Sequence, residues 1–457
     1  MRYSNPRSVT LAAVMAAVCL SLPAWANPFE HRLANGLRVI VKEDGRAPTV
    51  AHMVWYRAGS MDETNGTTGV AHLLEHMMFK GTPTLGAGEF SRLVAAAGGR
   101  DNAFTSRDYT AYFQQVPKQK LEQMMQLEAD RMRHLTLDPE AFAQEIKVVM
   151  EERRLRTDDQ PQARLSEQMH AVAFQAHPYR VPVIGWMSDL ENMTAQDARD
   201  WYERWYAPNN AHVVVVGDVD HRDVFRLAER YYGPQTSRPL PVRKPQDEPE
   251  QSGIRRVILK APADLPVVLM AYRVPVIRDV DNDVDPYALD MLSAILDGHD
   301  AARFSKHLVR EQRLAVSASA GYAAITRGPG LFYVQGSPSA GRSRAELEAG
   351  FRAEIARIVE SGVSEEELAR ARAQLVAGQV YKLDSMFAQA MEIGQLEAVG
   401  IPHAAGRRMI EKLQAVTAAS VQAVAARYLV DERLTVAELD PQPLPKTLPR
   451  PAIPSRH

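Results

Sequence analysis

His72-Leu73-Leu74-Glu75-His76 sets two imidazoles four residues apart, with a carboxylate beside the second, in an apolar stretch able to form a helix. Residues four apart share a helical face, so both rings can reach one metal ion. Glu75, three residues after His72, lies on the same side and can reach a metal-bound water without being a ligand. This H-x-x-E-H order reverses H-E-x-x-H and points first to a zinc metalloendopeptidase. The plain alternative is an ordinary amphipathic helix. With 13 His in 457 residues, such a string arises by accident in roughly a few per cent of similar chains.

A catalytic zinc takes three protein ligands and keeps one position open. Gln144 to Arg154 offers acids on a helix of its own. Glu145 and Glu152 are seven residues apart and return to nearly the same face, while Glu151 points about a third of a turn away. Solvated surface carboxylates would show the same pattern, so all three acids stay open at this level.

The elements that must position these groups begin with an export signal. Arg2 and Arg7 precede an apolar run from Leu11 to Leu22 and then Pro23-Ala24-Trp25-Ala26, the layout of a cleaved secretory signal peptide over 1–26. That run is short for a bilayer, and no later stretch reaches 18 uninterrupted apolar residues, so no membrane span is expected. Cleavage after Ala26 removes Cys19, the one cysteine, and with it any disulfide or thiolate ligand. Zinc must then be held by histidine and carboxylate, and a Gram-negative periplasm is the expected location. The formal charge of −2 falls to −4 without Arg2 and Arg7, which gives no reason to expect a nucleic-acid partner.

The mature length suits two domains near ~200 residues each better than one core. Residues 233–252 read GPQTSRPLPVRKPQDEPEQS, with five prolines and little apolar content, as a linker does. On either side the chain repeats itself. Thr194-Ala195, Tyr206 and the strand-like His212 to Val216 parallel Thr417-Ala418, Tyr428 and Leu434 to Leu439, the threonines 223 and the tyrosines 222 residues apart. Thr49 to Ser60 echoes Pro266 to Val276 in the same way. Two such echoes in the same order predict two similar halves.

Gly36 to Lys42 and Val50 to Arg57 read as strands, and Phe104 to Val116 as one strand interrupted by polar residues. Gly69 to Met78, Gly88 to Ala97, Gln119 to His134 and Ala141 to Arg156 carry helical periodicity. The expected fold class is α+β: two structurally similar α/β-sandwich halves, each a mostly antiparallel sheet packed with helices, joined by the proline-rich linker. The expected domains are a zinc-binding half at 27–232, a homologous half without metal at 253–445, and a flexible tail at 446–457.

The chain resembles the pitrilysin/insulinase-type metallopeptidases, including smaller bacterial members and mitochondrial-processing-peptidase subunits. The matching residues are A-G-S-M-D-E at 58–63, G-V-A-H-L-L-E-H-M-M-F-K-G-T at 69–82, G-G-R-D-N-A-F-T-S at 98–106, E-I-K-V-V-M-E-E at 145–152, H-P-Y at 177–179, and Y-A-P-N-N with V-V-V-V-G-D at 206–218. The resemblance spans most of 28–440. It implies Zn²⁺ held by His72, His76 and Glu152, Glu145 orienting the site, and Glu75 as the general base. It also implies that Asn102 and Ala103 lie on an edge strand where an extended peptide is laid.

One departure stands out. Members of the family carry an Arg, followed a few residues later by a Tyr, on a loop of the second half that holds substrate and stabilises the oxyanion. Here Arg310 is present, but Val316 stands at the Tyr position and one residue is missing; Tyr322 is out of register. Loss of such a donor costs on the order of 3 kcal/mol of transition-state stabilisation. The resemblance therefore implies a heterodimer, in which this zinc-bearing chain pairs with a homologous subunit lacking H-x-x-E-H that supplies the Arg/Tyr pair; a homodimer is the second assembly. The competing function is a non-catalytic or weakly active scaffold subunit. The other histidines, among them His31, His52, His134, His170, His177, His212 and His221, read as structural or surface groups.

Overall fold

The computed structural model describes residues 28–444; the signal peptide, Cys19 and the tail at 446–457 lie outside them. The first half runs β1 (Phe29–Arg32), β2 (Arg38–Glu43), β3 (Thr49–Tyr56), α1 (Val70–Met77), α2 (Glu89–Ala96), β4 (Arg100–Thr105) and β5 (Thr110–Pro117). It continues with α3 (Leu121–His134), α4 (Pro139–Arg153), α5 (Pro161–Ala173), α6 (Met187–Asn192), α7 (Ala195–Trp205), β6 (Ala211–Gly217) and α8 (His221–Tyr231). The second half runs β7 (Arg255–Pro262), β8 (Val267–Val274), α9 (Asp285–Asp297), β9 (Ala315–Tyr322), β10 (Gly330–Pro338), α10 (Arg344–Ser361), α11 (Glu365–Lys382), α12 (Met386–Val399), α13 (Gly406–Gln414), α14 (Ala418–Tyr428) and β11 (Leu434–Gln442).

The two sheets share a five-strand topology, to which the first adds the edge strand β1. The first is ordered β1-β2-β6-β3-β5-β4 and the second β7-β11-β8-β10-β9. In each, a single parallel pair (β2 with β6, β7 with β11) interrupts otherwise antiparallel pairing. Thr194 and Thr417, the threonines of the sequence echo, both cap helices, α7 and α14, through reciprocal capping boxes that satisfy the orphan donors of a first turn. The α+β expectation of two similar halves is thus met by the structure.

Strand β3 shows why the sheets are apolar on both faces. Val50, Val54 and Tyr56 enter one core with α1, α3 and α7, while Ala51, Met53 and Trp55 enter another, as the two-residue period of a strand requires. The second core is completed by a helix from the other half: Ala390 and Ile393 of α12 lie against the outer face of the first sheet. Here α12 comes so close that a Cβ on Gly394 would lie 2.1 Å from the Trp55 indole. The exchange is mutual, because Leu165, Met169 and Ala173 of α5 cover Leu259, Leu269 and Ala437 of the second sheet.

Two further features position the site. Phe104 to Val116, expected as one strand, is instead the hairpin β4–β5. Ser106, Arg107 and Asp108 make its turn, with Asp108 and Tyr109 N–H groups donating to the Ser106 hydroxyl, a local bond that competes with strand pairing. Residues 233–252 carry no helix or strand, yet Glu248 accepts from the backbone N–H of Gln175, Ala176 and His177 at 2.7–3.0 Å.

Candidate metal centre

The start of α1 is fixed before its histidines are placed. Gly69 adopts φ 90° there, and a Cβ on it would lie 2.5 Å from the Ile184 carbonyl oxygen, so this close approach favours glycine. Glu63 accepts from the backbone N–H groups of Gly69 and Ala71, both at 2.9 Å. Asp189 accepts from the backbone of Gly66 and Thr68 and from the Thr68 hydroxyl. Glu63 thus meets donors at the helix start that have no partner inside the helix, while Asp189 fixes the loop that leads into it.

From this start His72 and His76 project toward α4, which Asp138 caps and Pro139 opens. The ring centroids lie 4.8 Å apart at an interplanar angle of 70°. Glu152 Oε2 is 3.7 Å from His72 Nε2 and 3.4 Å from His76 Nε2. A tetrahedral zinc has donor-to-donor edges of roughly 3.3–3.5 Å. The trio therefore fits one such ion, with the histidine and carboxylate donors that Zn²⁺ accepts. His76 Nδ1 meets Glu145 Oε1 at 2.9 Å, which fixes that ring as a ligand's outer nitrogen usually is. Among the described residues the buried Nδ1 of His72 has no hydrogen-bond partner. The structure thus brings together His72, Glu75, His76, Glu145 and Glu152, while Glu151 pairs outward with Arg154.

The charges are unequal. Burial, with His76 adding to it, depresses His72 to about 4. Burial would depress His76 as well, but its bonds to Glu145 and Glu152 prevail and hold it up at about 9. The same bonds to His76 lower both carboxylates. Two carboxylates against two imidazoles draw positive charge to their centre, as a proton or as a divalent cation. Lys80 pairs with Glu145 Oε2, and Arg156 Nη1 lies 2.6 Å from Glu152 Oε1, leaving Oε2 facing the histidines. Sequence reading missed both cations: Arg156 stands four residues past Glu152, the spacing of side chains that meet on a helix, while Lys80 lies past the end of α1 and meets Glu145 of α4.

Glu75 lies on the same helix, bonded to Thr105. Burial raises its pKa, and the Thr105 hydroxyl, donating to Oε2 at 2.5 Å, opposes that rise. That bond ties α1 to β4. Asn102 and Ala103 sit on β4, which pairs with β5 alone and leaves its other edge for an extended chain. A cleft of about 350 Å³ beside this centre is lined by His72, Thr105, Glu152 and Arg156. A larger hollow of about 1250 Å³ lies between the linker and both halves, but it holds no such donor set.

Arg310 is not brought to this centre. It lies in a wide helical turn over Phe304–Glu311, and its guanidinium donates to the Asp300 carbonyl at 2.5 Å. Val316 is 53% exposed on β9, and Tyr322 donates to the Pro275 carbonyl. Arg327, unremarked in the sequence, reaches the first half instead: its guanidinium straddles Asp62 at 2.8 and 3.1 Å and donates to the Asp108 carbonyl at 2.9 Å. His177 and Tyr179 are buried at this junction, where Tyr179 bonds Asp108 and accepts from Gly328 N–H. His221, read as a lone histidine, lies with Glu43 and Asp220 in a second potential ligand trio. Capping accounts for that trio, since Asp220 caps α8 and Glu43 accepts from His221.

Residues 38–185 match the family profile described as Insulinase (Peptidase family M16), and residues 192–375 match Peptidase M16 inactive domain. The zinc protease PqqE of Helicobacter pylori is 37% identical over 293 residues, 63% of this chain and 64% of that protein. The match thus spans less than two thirds of that relative. The mitochondrial-processing peptidase subunit beta of Blastocladiella emersonii is 28% identical over 90% of this chain and 88% of its own length. Among solved structures, a protease from Helicobacter pylori superposes with a TM-score of 0.86 at 28% identity, covering 91% of this chain and 99% of that one.

Proposed function

The chain belongs to the insulinase-type M16 family of zinc proteases, and we propose that it is an exported zinc-dependent endopeptidase acting on peptides or unfolded polypeptide segments. The observation that carries this reading is the convergence of His72, His76 and Glu152 donors beside Glu75, under a free strand edge. Zinc held by His72, His76 and Glu152 would lower the pKa of a water toward neutrality and polarise the scissile carbonyl. Glu75 takes the proton from that water and returns it to the leaving amine, as a general base that later acts as general acid. Strand β4 holds the peptide extended by backbone hydrogen bonds at Asn102 and Ala103, so the main chain rather than one side chain is recognised. No covalent intermediate forms.

The proposal includes a second subunit, homologous but without the H-x-x-E-H motif, that supplies an Arg/Tyr pair. Its support is local: Arg310 is engaged by Asp300, and the position expected to carry a hydroxyl is Val316. The mature chain is proposed to act in the periplasm after removal of residues 1–26. Metal analysis and a peptide-cleavage assay, run on the purified mature chain with and without a co-expressed homologous partner, test the whole reading. About one zinc per chain, activity abolished by chelation, and a rise with the partner are expected. Full activity of the lone chain would remove the partner; zinc without activity in either state would favour the scaffold reading.

A further inference from the structure

The second half contains a counterpart of the metal cleft. His72 and Asp290 stand equally far along the chain beyond the ends of β3 and β8, and each lines the cleft of its own half. Helices α5 and α12 agree at four lining positions. The third, sixth, seventh and tenth positions of α5 (Ala163, Ser166, Glu167, His170) line the metal cleft, and the same positions of α12 (Ala388, Met391, Glu392, Gln395) line its counterpart. By the same offset Ser293 and Ala294 replace Glu75 and His76, so the counterpart has neither base nor second imidazole.

What replaces them is a cavity of about 320 Å³ with walls of Tyr287, Phe387, Met391, Leu396, Met409 and Leu413. That is the small end of the roughly 300–1,000 Å³ range of ligand pockets. Two acids line the cavity, and Asp290 is the one without a close cation. Among the described residues no group hydrogen-bonds to it or pairs with it; burial raises it to about 6, opposed only by the more distant charge of Lys382. Lys382 itself is engaged, donating to Gln379 at 2.8 Å and lying 3.7 Å from Glu392. The cavity therefore carries an excess of negative charge and an acceptor with nothing to accept from, inside walls that favour hydrocarbon.

We propose that this cavity is a binding site for a primary amine on an apolar stem, with the ammonium on Asp290 and the stem among Phe387, Met391 and Leu413. A free alkylamine and a lysine side chain of a peptide both offer that chemistry. The site is independent of the metal and of the peptidase reading.

The test is calorimetric titration of the full mature protein with n-hexylamine, n-hexanol and hexanoate, and with a short capped peptide containing either lysine or norleucine. Amine is expected to bind at least tenfold more tightly than alcohol, with hexanoate not binding. Asp290→Asn is expected to bring amine and alcohol to parity and, because no partner is lost, to leave the melting temperature unchanged or higher. Ala388→Phe, which fills the cavity, is expected to abolish all binding. Saturation by hexylamine alone identifies a free amine as the ligand, and saturation by the lysine peptide but not the norleucine peptide identifies a side chain. Equal binding of amine and alcohol to the wild type, amine binding that survives in Asp290→Asn, or no saturable binding of any probe would overturn the proposal.

Discussion

Cut from one topology, the two halves put different chemistry into the same place. The cleft of the first is lined by imidazoles, carboxylates and cations; that of the second by aromatic and aliphatic side chains, with Asp290 set apart from the Lys382–Glu392 pair. The sheets, the single parallel pairs and the capping threonines are shared, so none of them makes the site reactive. The difference rests on a few side chains on α1 and α4, and it shows function grafted onto a scaffold that tolerates its absence.

Removing the base breaks the comparison most directly. Glu75→Gln is expected to lower kcat by about 10²–10⁴-fold while metal content, measured on the same preparation, stays within error; comparable turnover would exclude Glu75 as the base. Next in size is the contact that joins the halves. Gly394→Ala pushes a methyl into Trp55 and is expected to destabilise by about 3 kcal/mol, read as a shift in the urea midpoint; an unchanged midpoint would show that α12 moves away freely.

Acid acts on the same junction. Glu397 of α12 meets the His403 imidazole Nδ1 at 2.7 Å, and accepts from Arg38 of β2 at 2.5 Å and from the His403 backbone N–H at 2.8 Å. Burial opposes ionisation, yet these bonds hold its carboxyl down at about 2. A depressed acid contributes stability that is complete above its ordinary value near ~4.5 and is lost as pH falls toward 2. On the order of 3 kcal/mol should fade over that window, and Glu397→Gln should flatten this part of the pH–stability curve. The smallest effect separates the two histidines. Glu145→Gln weakens the carboxylate behind His76 and is expected to lower zinc affinity about 10–100-fold, read by competition with a chromophoric chelator; unchanged affinity would make Glu145 a partner of Lys80 only.

Much of this was legible in the chain. The period of Val70 to Met77 gave a helix with both histidines on one face, and the apolar run of Val50 to Tyr56, interrupted by His52 alone, matched a strand buried on two sides. Glu152 was singled out among three acids by resemblance, and geometry then turned Glu151 outward. The hairpin within Phe104 to Val116 was hidden because Ser106 and Asp108 looked like polar interruptions of a strand, while their turn is made by side-chain bonds to backbone. Arg327, Lys80 and Arg156 act through partners on other elements or at helix ends, and a sequence shows a charge without its partner. The exchange of α5 and α12 was out of reach for a related reason: amphipathicity reveals that a helix buries a face, not against which sheet.

That exchange bears on how the molecule can be taken apart. Each half lends the other the helix that closes its outer layer, so a chain severed between residues 233 and 252 would yield two pieces that each expose a bare sheet and an orphaned helix. Neither piece is a self-sufficient unit of heredity or of engineering, but together they form a naturally complementing pair. A nicked protein would stay whole, and a gene split at this point would encode two fragments that need one another to fold.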